Sequence, residues 1–371
     1  MGQEGRERMY ESFRIQNYRG FRDLKLEGLA RVNLIAGENN SGKTALLEAL
    51  YIHALQGDSA AFEIVARPGR TSTDPKARLD PFWLAMFRDL DASNIVWLTA
   101  TGPGLPWPRS EECANANQPS PAGTSVSLWP MEDEDDDALM RKSWTQRPLN
   151  PQPGMLLAVS AIGDVFAGHR ASGRSAPTSA GRESRHGWPA CFVSASGLGP
   201  HALVDDFTDL ARARAESTVV DALKTFEPRL LGMDVLPGGS GAALYADLGL
   251  SKLLPMEDVG EGMNRWLTLA LVLGQARGGI VLIDEVETGL HHSKHGDLWR
   301  LIADASRRMD VQVFATTHSL ECIEAAHDVF AEVGPDDLRV HRLQEIQGDI
   351  HAITYPPDTL KAAIEAGMEV R

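Results

Sequence analysis

Residues 37–44 constrain what this chain can fold into more than any other segment does. Their letters, GENNSGKT, fit the pattern G-x-x-x-x-G-K-[ST] at every fixed position. The apolar run RVNLIA (31–36) precedes them as a buried strand would, and residues 45–55 continue with leucines at helical spacing. A strand, a glycine-rich loop and a helix in this order predict a phosphate-binding loop. The alternative is an ordinary glycine turn, and the flanking strand and helix argue against it.

The residue types in this loop match the chemistry of triphosphate binding. Backbone N–H groups must wrap around the phosphates, so glycine is needed where a Cβ would obstruct the turn, and the helix N-terminus adds its dipole. Lys43 is predicted to place its charge on the β- and γ-phosphates, and the Thr44 hydroxyl to ligate Mg²⁺. The predicted ligands are therefore ATP and Mg²⁺. The residues expected to line the nucleotide are Gly37, Glu38, Asn39, Asn40, Ser41, Gly42, Lys43 and Thr44.

A second segment, IVLIDE (280–285), consists of four apolar residues followed by two acids. A buried strand would deliver Asp284 beside the phosphate loop, where its carboxylate can hold the metal ion. Glu285 would then polarise the attacking water as a general base. A pair of acids that only caps a helix is the alternative, and the presence of the phosphate loop favours the catalytic interpretation.

Two further segments complete an ordered set. The sequence TTHS (316–319) follows another apolar run, and His318 is expected to contact the γ-phosphate and to sense its loss. The sequence VGEGMNR (259–265) opens a helix before the acidic strand, and a glycine-rich helix N-terminus is an anion site. The alternatives are a histidine that caps a strand end and an ordinary capped turn.

The order of these four segments resembles that of the ABC-type ATPases, the group that includes SMC and RecF proteins. The OLD-like branch of stand-alone AAA family ATPases is the most similar branch. The similar segments are FRIQNYRGFRDLKLEGLARVNLIAGENNSGKTALLEAL, VGEGMNRWLTLALVLGQARGGIVLIDEVETGLHHS and VQVFATTHSLECIEAA. The resemblance implies a P-loop NTPase fold of ABC-ATPase type in the α/β class. The chain is therefore expected to have a mostly parallel central sheet, an antiparallel N-terminal β-layer and a large insertion.

The resemblance also implies an assembly. Two ATP molecules would lie between two heads of a homodimer or higher homo-oligomer, and Gly260, Gly262 and Arg265 of one head would contact the γ-phosphate bound by the other. The segment ETGLH (287–291) resembles the D-loop at the seam between heads. One departure is that Gly260 stands where the usual signature has serine, so the contact across the seam would depend on backbone N–H groups and on Arg265.

Composition divides the chain into three predicted parts. Residues 10–56 form an N-terminal lobe with the phosphate loop, and residues 189–371 form a C-terminal ATPase lobe that includes one helix expected over 205–227. Between them, residues 57–188 are rich in Pro, Gly, Ser and Ala and contain an acidic run at 132–137. This composition predicts an insertion with partly disordered loops.

Charge and cysteine content limit the kinds of partner and the cellular compartment that are expected for this chain. The chain has 36 Lys and Arg against 51 Asp and Glu, a net charge of −15, which excludes nucleic-acid binding by a basic field over the whole surface. The net charge does not exclude a local basic groove, so DNA remains a candidate partner. Three cysteines without a CxxC pair favour a reducing cytoplasm. The sequence shows no signal-peptide pattern and no apolar run of membrane-spanning length, so no membrane partner is expected.

The sequence therefore predicts Mg²⁺-dependent ATP hydrolysis that drives head dimerisation and switching, and so controls an effector protein or DNA. By analogy with such ATPases, the setting would be bacterial anti-phage defence or DNA repair. OLD nucleases carry a C-terminal Toprim domain, and the residues after His318 are too few for one, so a nuclease or toxin is expected on a separate protein. The alternatives are a small-molecule kinase, a non-hydrolysing scaffold that binds ATP for assembly, and a transporter head.

Overall fold

The computed structural model describes residues 9–55, 85–91, 94–102, 124–130, 155–162, 165–172, 181–182, 188–238 and 241–371. In chain order the strands are β1 (Ser12–Tyr18), β2 (Phe21–Glu27), β3 (Val32–Gly37), β4 (Val96–Thr101), β5 (Thr124–Pro130), β6 (Met155–Ile162), β7 (Val165–Ser172), β8 (Gly181–Arg182), β9 (Ala190–Val193), β10 (Gly232–Gly238), β11 (Gly241–Asp247), β12 (Leu254–Pro255), β13 (Ile280–Ile283), β14 (Gln312–Thr316), β15 (Leu338–Ile346) and β16 (Asp349–Tyr355).

The helices of the described ranges lie mostly in the second half of the chain. They are α1 (Lys43–Ala54), α2 (Pro200–Arg212), α3 (Glu216–Phe226), α4 (Met256–Val259), α5 (Glu261–Gln275), α6 (His295–Arg308), α7 (Leu320–Val333) and α8 (Pro357–Glu365). Short 3₁₀ turns occur at Arg88–Leu90, His292–Lys294 and Pro335–Asp337. Within the same ranges, no helix combines the length and hydropathy needed to cross a bilayer.

A seven-stranded sheet in the order β16-β15-β3-β14-β13-β9-β8 forms the centre of the molecule. The five strands from β15 to β9 run parallel, and β16 and β8 add antiparallel edges. Strands β3, β13 and β14 are buried along their whole length, which is why their sequences are nearly continuous apolar runs. The predicted mostly parallel α/β sheet is confirmed.

A second, antiparallel sheet lies over helix α1 in the order β2-β1-β4-β5-β6-β7. Phe13 and Ile15 on β1 share a buried core with Leu47 and Leu50 of α1 and with Phe314 of the central sheet. This sheet is the predicted antiparallel N-terminal layer. Its last four strands come from the segment predicted as an insertion, which therefore extends the N-terminal layer. The acidic run 132–137 lies outside the described residues.

The other face of the central sheet carries the helices of the C-terminal part. Adjacent residues of β3 serve different faces, with Leu34 in the core beneath α5 and α6 and Ile35 in the core around α1. A three-stranded antiparallel sheet, β10-β11-β12, leads into α4 and α5. The single helix expected over 205–227 is wrong: α2 and α3 are separate, because the chain turns at Arg214, whose φ is 55°.

Candidate functional site

The phosphate loop leaves the carboxyl end of β3 between two positions that require glycine. At Gly37, φ is 150° and a Cβ would lie 2.7 Å from the Ser41 Oγ and 2.8 Å from the Leu343 carbonyl oxygen. At Gly42, φ is 91° and a Cβ would lie 2.8 Å from the Phe21 ring. A side chain at either position would push the loop away from its neighbours. Close packing of the loop backbone against its neighbours therefore requires glycine at both positions, as the sequence pattern predicts.

The Lys43 side chain folds back over the first residues of the phosphate loop. Its Nζ donates to the carbonyl oxygens of Gly37 and Glu38, each at 2.7 Å. Burial lowers the pKa of this amine, and the nearby carboxylates of the DE pair oppose that shift. The ammonium group thus lies at the centre of the loop, surrounded by acceptors that a phosphate oxygen can replace. Glu38, Asn39 and Asn40 form the exposed outer part of the loop.

Asp284 connects the loop to two neighbouring strands. One of its carboxylate oxygens accepts a hydrogen bond from Thr44 Oγ1 at 2.9 Å, and the other accepts one from Thr316 Oγ1 at 2.7 Å. A hydroxyl and a carboxylate in contact provide the hard oxygen ligands that Mg²⁺ prefers. In the described ranges, no group of three His, Cys, Asp or Glu side chains lies close enough together to hold a metal ion by itself. The donor set therefore fits a Mg²⁺ whose remaining ligands are phosphate oxygens and water.

Glu285 has an unusual backbone conformation, with φ of 47°. Its N–H donates to Thr316 Oγ1 at 2.8 Å, and its carbonyl oxygen accepts from Arg265 Nη2, also at 2.8 Å. The side chain is half-buried, and the Thr288 hydroxyl donates to it at 3.1 Å. Both backbone polar groups of the predicted general base are thus fixed by side chains from other elements.

His318 follows β14 and is held by a residue that sequence reasoning did not single out. The Glu287 carboxylate is only 8% exposed and accepts hydrogen bonds from Thr317 Oγ1 at 2.7 Å and from the His318 N–H at 3.0 Å. The imidazole Nδ1 lies 3.4 Å from the same oxygen. Glu287 is the first residue of the D-loop-like segment 287–291, but nothing in the sequence indicated that its carboxylate would hold His318.

The signature-like turn begins helix α5. One of its two predicted glycines lies on the surface, and the other, Gly262, is half-buried. Gly260 is exposed with φ of 119°, and a Cβ on Gly262 would lie 3.2 Å from the Gly289 carbonyl oxygen. Arg265 was predicted to contact a second head, but only 5% of it is exposed. Its guanidinium donates to the carbonyl oxygens of Ser194, Asp284 and Glu285 in its own chain.

A cavity of about 740 Å³ lies beside this turn. It extends from the start of α5 to β11 and to the loop that follows β9, and its walls include Glu261, Arg265, Thr288 and Gly289. The signature-like turn and the D-loop-like segment therefore share one concave surface.

Two parts of the chain match known family models. Residues 9–100 match a model described as an AAA ATPase domain. Residues 200–324 match one described as AAA domain, putative AbiEii toxin, Type IV TA system. The first match includes the phosphate loop, and the second includes the signature-like turn, the DE pair and His318.

Curated relatives are similar over short segments. The chain is 49% identical over 43 residues to an ATP/GTP phosphatase of Helicobacter pylori, and 47% identical over 45 residues to the DNA replication and repair protein RecF of an Exiguobacterium species. Each match covers 12% of this chain and 12% of the relative, so the chain spans only a small part of the length of these proteins.

Among solved structures, the fold is similar to an SMC head bound to the C-winged helix domain of ScpA. The TM-score is 0.52 at 11% identity, over 96% of this chain and 100% of that one. Together with the family matches, this likeness confirms the resemblance to ABC-type ATPases related to SMC and RecF. Membership of the OLD-like branch stays a prediction.

Proposed function

We propose that this chain hydrolyses ATP with Mg²⁺ and that two copies close on the nucleotide as paired heads. The observation that carries the proposal is the convergence of Thr44, at the start of α1, with Asp284 and Glu285, which follow β13. The Thr44 hydroxyl oxygen and an Asp284 carboxylate oxygen are 2.9 Å apart. In P-loop NTPases a Ser or Thr hydroxyl and a carboxylate in this relation hold the Mg²⁺. Glu285, directly after Asp284, would be the general base that activates water.

The residues divide the reaction between them. Lys43 and the backbone N–H groups of the loop would hold the β- and γ-phosphates, while Thr44 and Asp284 would hold the Mg²⁺, which neutralises charge on the phosphate oxygens. Glu285 would accept a proton from a water molecule as the oxygen of that water attacks the γ-phosphorus. The bond from that phosphorus to the bridging oxygen then breaks and ADP leaves with the bond's electron pair. His318, held by Glu287, would contact the γ-phosphate.

Two substitutions test the assignment of these roles. Lys43→Ala is expected to abolish nucleotide binding, because the loop loses its only side-chain cation. Glu285→Gln is expected to bind ATP with near-normal affinity, to lower kcat by about 10²- to 10⁴-fold, and to accumulate dimer when ATP and Mg²⁺ are present. Nucleotide binding, phosphate release and light scattering report these outcomes. Unchanged turnover in Glu285→Gln would show that another group is the base.

The same assay separates the alternative activities. An ATPase releases phosphate without any added acceptor, whereas a small-molecule kinase needs its acceptor for efficient turnover. A non-hydrolysing scaffold would bind ATP and assemble, but release no phosphate even with partner and DNA present. A transporter head would purify with a membrane protein. The proposed activity is therefore excluded if phosphate release depends on an acceptor or is absent under all these conditions.

We further propose that the ATP cycle controls a separate effector, a nuclease or toxin, in a defence or repair system. Support for a defence or repair setting comes from the family model matched over 200–324, whose description names a toxin–antitoxin system, and from the similarity to a replication and repair protein. The separate effector is proposed from the resemblance to OLD-like ATPases alone. Phosphate release measured with and without duplex DNA tests direct control by DNA. Affinity purification of Glu285→Gln with ATP from the native host tests the effector, because the closed state would persist.

A further inference from the structure

Arg265 lies between the signature-like turn and the acidic pair of the same head. Helix α5 begins at Glu261, directly after Gly260, and Arg265 is on the second turn of that helix. Its Nη2 donates to the carbonyl oxygens of both Asp284 and Glu285 at 2.8 Å, and its Nη1 donates to Ser194 at 2.8 Å. One side chain therefore joins α5 to the ends of β13 and β9.

The backbone that Arg265 holds is the part of the site that most needs support. A non-glycine residue with φ near +47° is uncommon and costs free energy unless its surroundings fix it. At Glu285 the N–H is fixed by Thr316 and the carbonyl oxygen by Arg265. The same carbonyl oxygen also accepts a hydrogen bond from the Thr288 N–H at 3.0 Å, a contact within the local turn. Without Arg265 the strained residue would lose its link to helix α5, and its carboxylate would be held less firmly.

The chemistry of the three contacts explains why the residue is arginine. A guanidinium is planar and presents several donors in fixed directions, whereas a lysine ammonium is a compact group on a flexible stem. Burial lowers the pKa of Arg265, and the carboxylates of Glu287, Asp284 and Glu285 oppose that effect. The side chain is thus a buried cation whose donors are used on the backbone of its own head.

We propose that Arg265 is a positioning residue that acts within its own head: it fixes the backbone of Asp284 and Glu285 and couples their position to that of the signature-like turn. This inference rests on the proposed ATPase function. Docking of a second head on the turn would move the first turns of α5. Through Arg265 that movement would reach the hydrolytic carboxylates of the head that owns the turn, so each ATP site would respond to occupancy of the other.

The first experiment separates positioning from folding. Arg265→Lys keeps the charge but loses the fork of donors, and Arg277→Ala, at an exposed arginine just after α5, is the matched control. We expect Arg265→Lys to bind ATP within about threefold of the parent protein and to lose about 10- to 100-fold in kcat, because small displacements of a catalytic group have effects of this size. A normal kcat in Arg265→Lys would overturn the proposal.

The second experiment asks in which head Arg265 acts. Heads that carry Lys43→Ala are mixed with heads that carry either Arg265→Lys or Gly260→Asp. In both mixed dimers, the site with an intact Lys43 takes its signature-like turn from the Lys43→Ala head, and that turn is intact. A residue that acts across the seam would therefore be rescued by mixing, and one that acts within its own head would not.

The expected result is partial recovery of turnover for the Gly260→Asp mixture, because its active site faces an empty second site, and no recovery for the Arg265→Lys mixture. Recovery in both mixtures would show that Arg265 contacts the second head, which overturns the proposal. Recovery in neither would count against the paired-head arrangement of the proposed function. In that case the kcat of Arg265→Lys alone still decides whether Arg265 positions the acidic pair.

Discussion

At the scale of single residues, the candidate site is held in shape by groups that would not touch the phosphate. The Thr316 hydroxyl donates to the Asp284 carboxylate and accepts from the Glu285 N–H, so one side chain orients both acids. Glu287 does the same for the segment that carries His318. These residues lie in different strands and loops, and only the folded sheet brings them together.

Glu287 provides a test at this scale. Glu287→Ala would leave the buried Thr317 hydroxyl and the His318 N–H without their acceptor, at a cost of about 1–3 kcal/mol. Loss of this acceptor would displace His318 from the γ-phosphate. We therefore expect kcat to fall about 10- to 100-fold while ATP affinity is kept. Glu287→Gln retains an acceptor oxygen and should stay within a few-fold of the parent protein. Equal turnover in all three proteins would show that this carboxylate does not position His318.

At the scale of elements, the contiguous motifs could be predicted and the contacts between them could not. The phosphate loop and the acidic strand were recognisable because each is one apolar strand followed directly by its functional residues. The resemblance implied that Arg265 contacts the neighbouring head, whereas its guanidinium hydrogen-bonds the backbone of its own head. A sequence does not show which residues near a helix start point inward. The extension of the antiparallel layer into 57–188 was also hidden, since loop-like composition surrounds its strands.

The hairpin formed by β15 and β16 provides a test at the element scale. His341 on β15 is fully buried, with Nδ1 3.0 Å from Thr354 Oγ1 and Nε2 3.4 Å from Asn33 Oδ1. Burial lowers the pKa of this histidine to about 3. Between that value and about 6.5, the unfolded chain binds a proton that the folded chain does not, so stability falls as the pH falls below about 6.5.

We therefore expect acidification to destabilise the parent protein more than a variant that cannot titrate at this position. His341→Gln keeps polar atoms near Thr354 and Asn33 and removes the titration. From pH 7.5 to pH 5, the free energy of unfolding of the parent should fall by about 2 kcal/mol more than that of the variant. Urea unfolding at the two pH values measures the difference. An equal loss in both proteins would mean that folding does not lower the pKa of His341.

At the scale of the whole molecule, the proposed function requires two copies, so turnover should depend on protein concentration. We expect phosphate release per head to rise with head concentration and then to level off, since a head alone lacks the signature-like turn of a second head. Lys43→Ala heads added in excess should not abolish this rise, because they still supply an intact turn. Turnover per head that is constant over a hundredfold range of concentration would indicate that each head hydrolyses ATP alone.

The position of β3 at the centre of the seven-stranded sheet has a consequence for how the protein is made. Its two parallel neighbours, β14 and β15, begin at Gln312 and Leu338. At ribosomal rates of about 5–20 residues per second, the roughly 275 residues from Gly37 to Gln312 take about 14 to 55 seconds to synthesise. Throughout that interval the residues of β3 are present without either neighbouring strand, and an apolar strand with unpaired edges is a template for misassociation. The nucleotide site therefore forms only late in translation, and the emerging N-terminal half is the stage at which a chaperone would matter most.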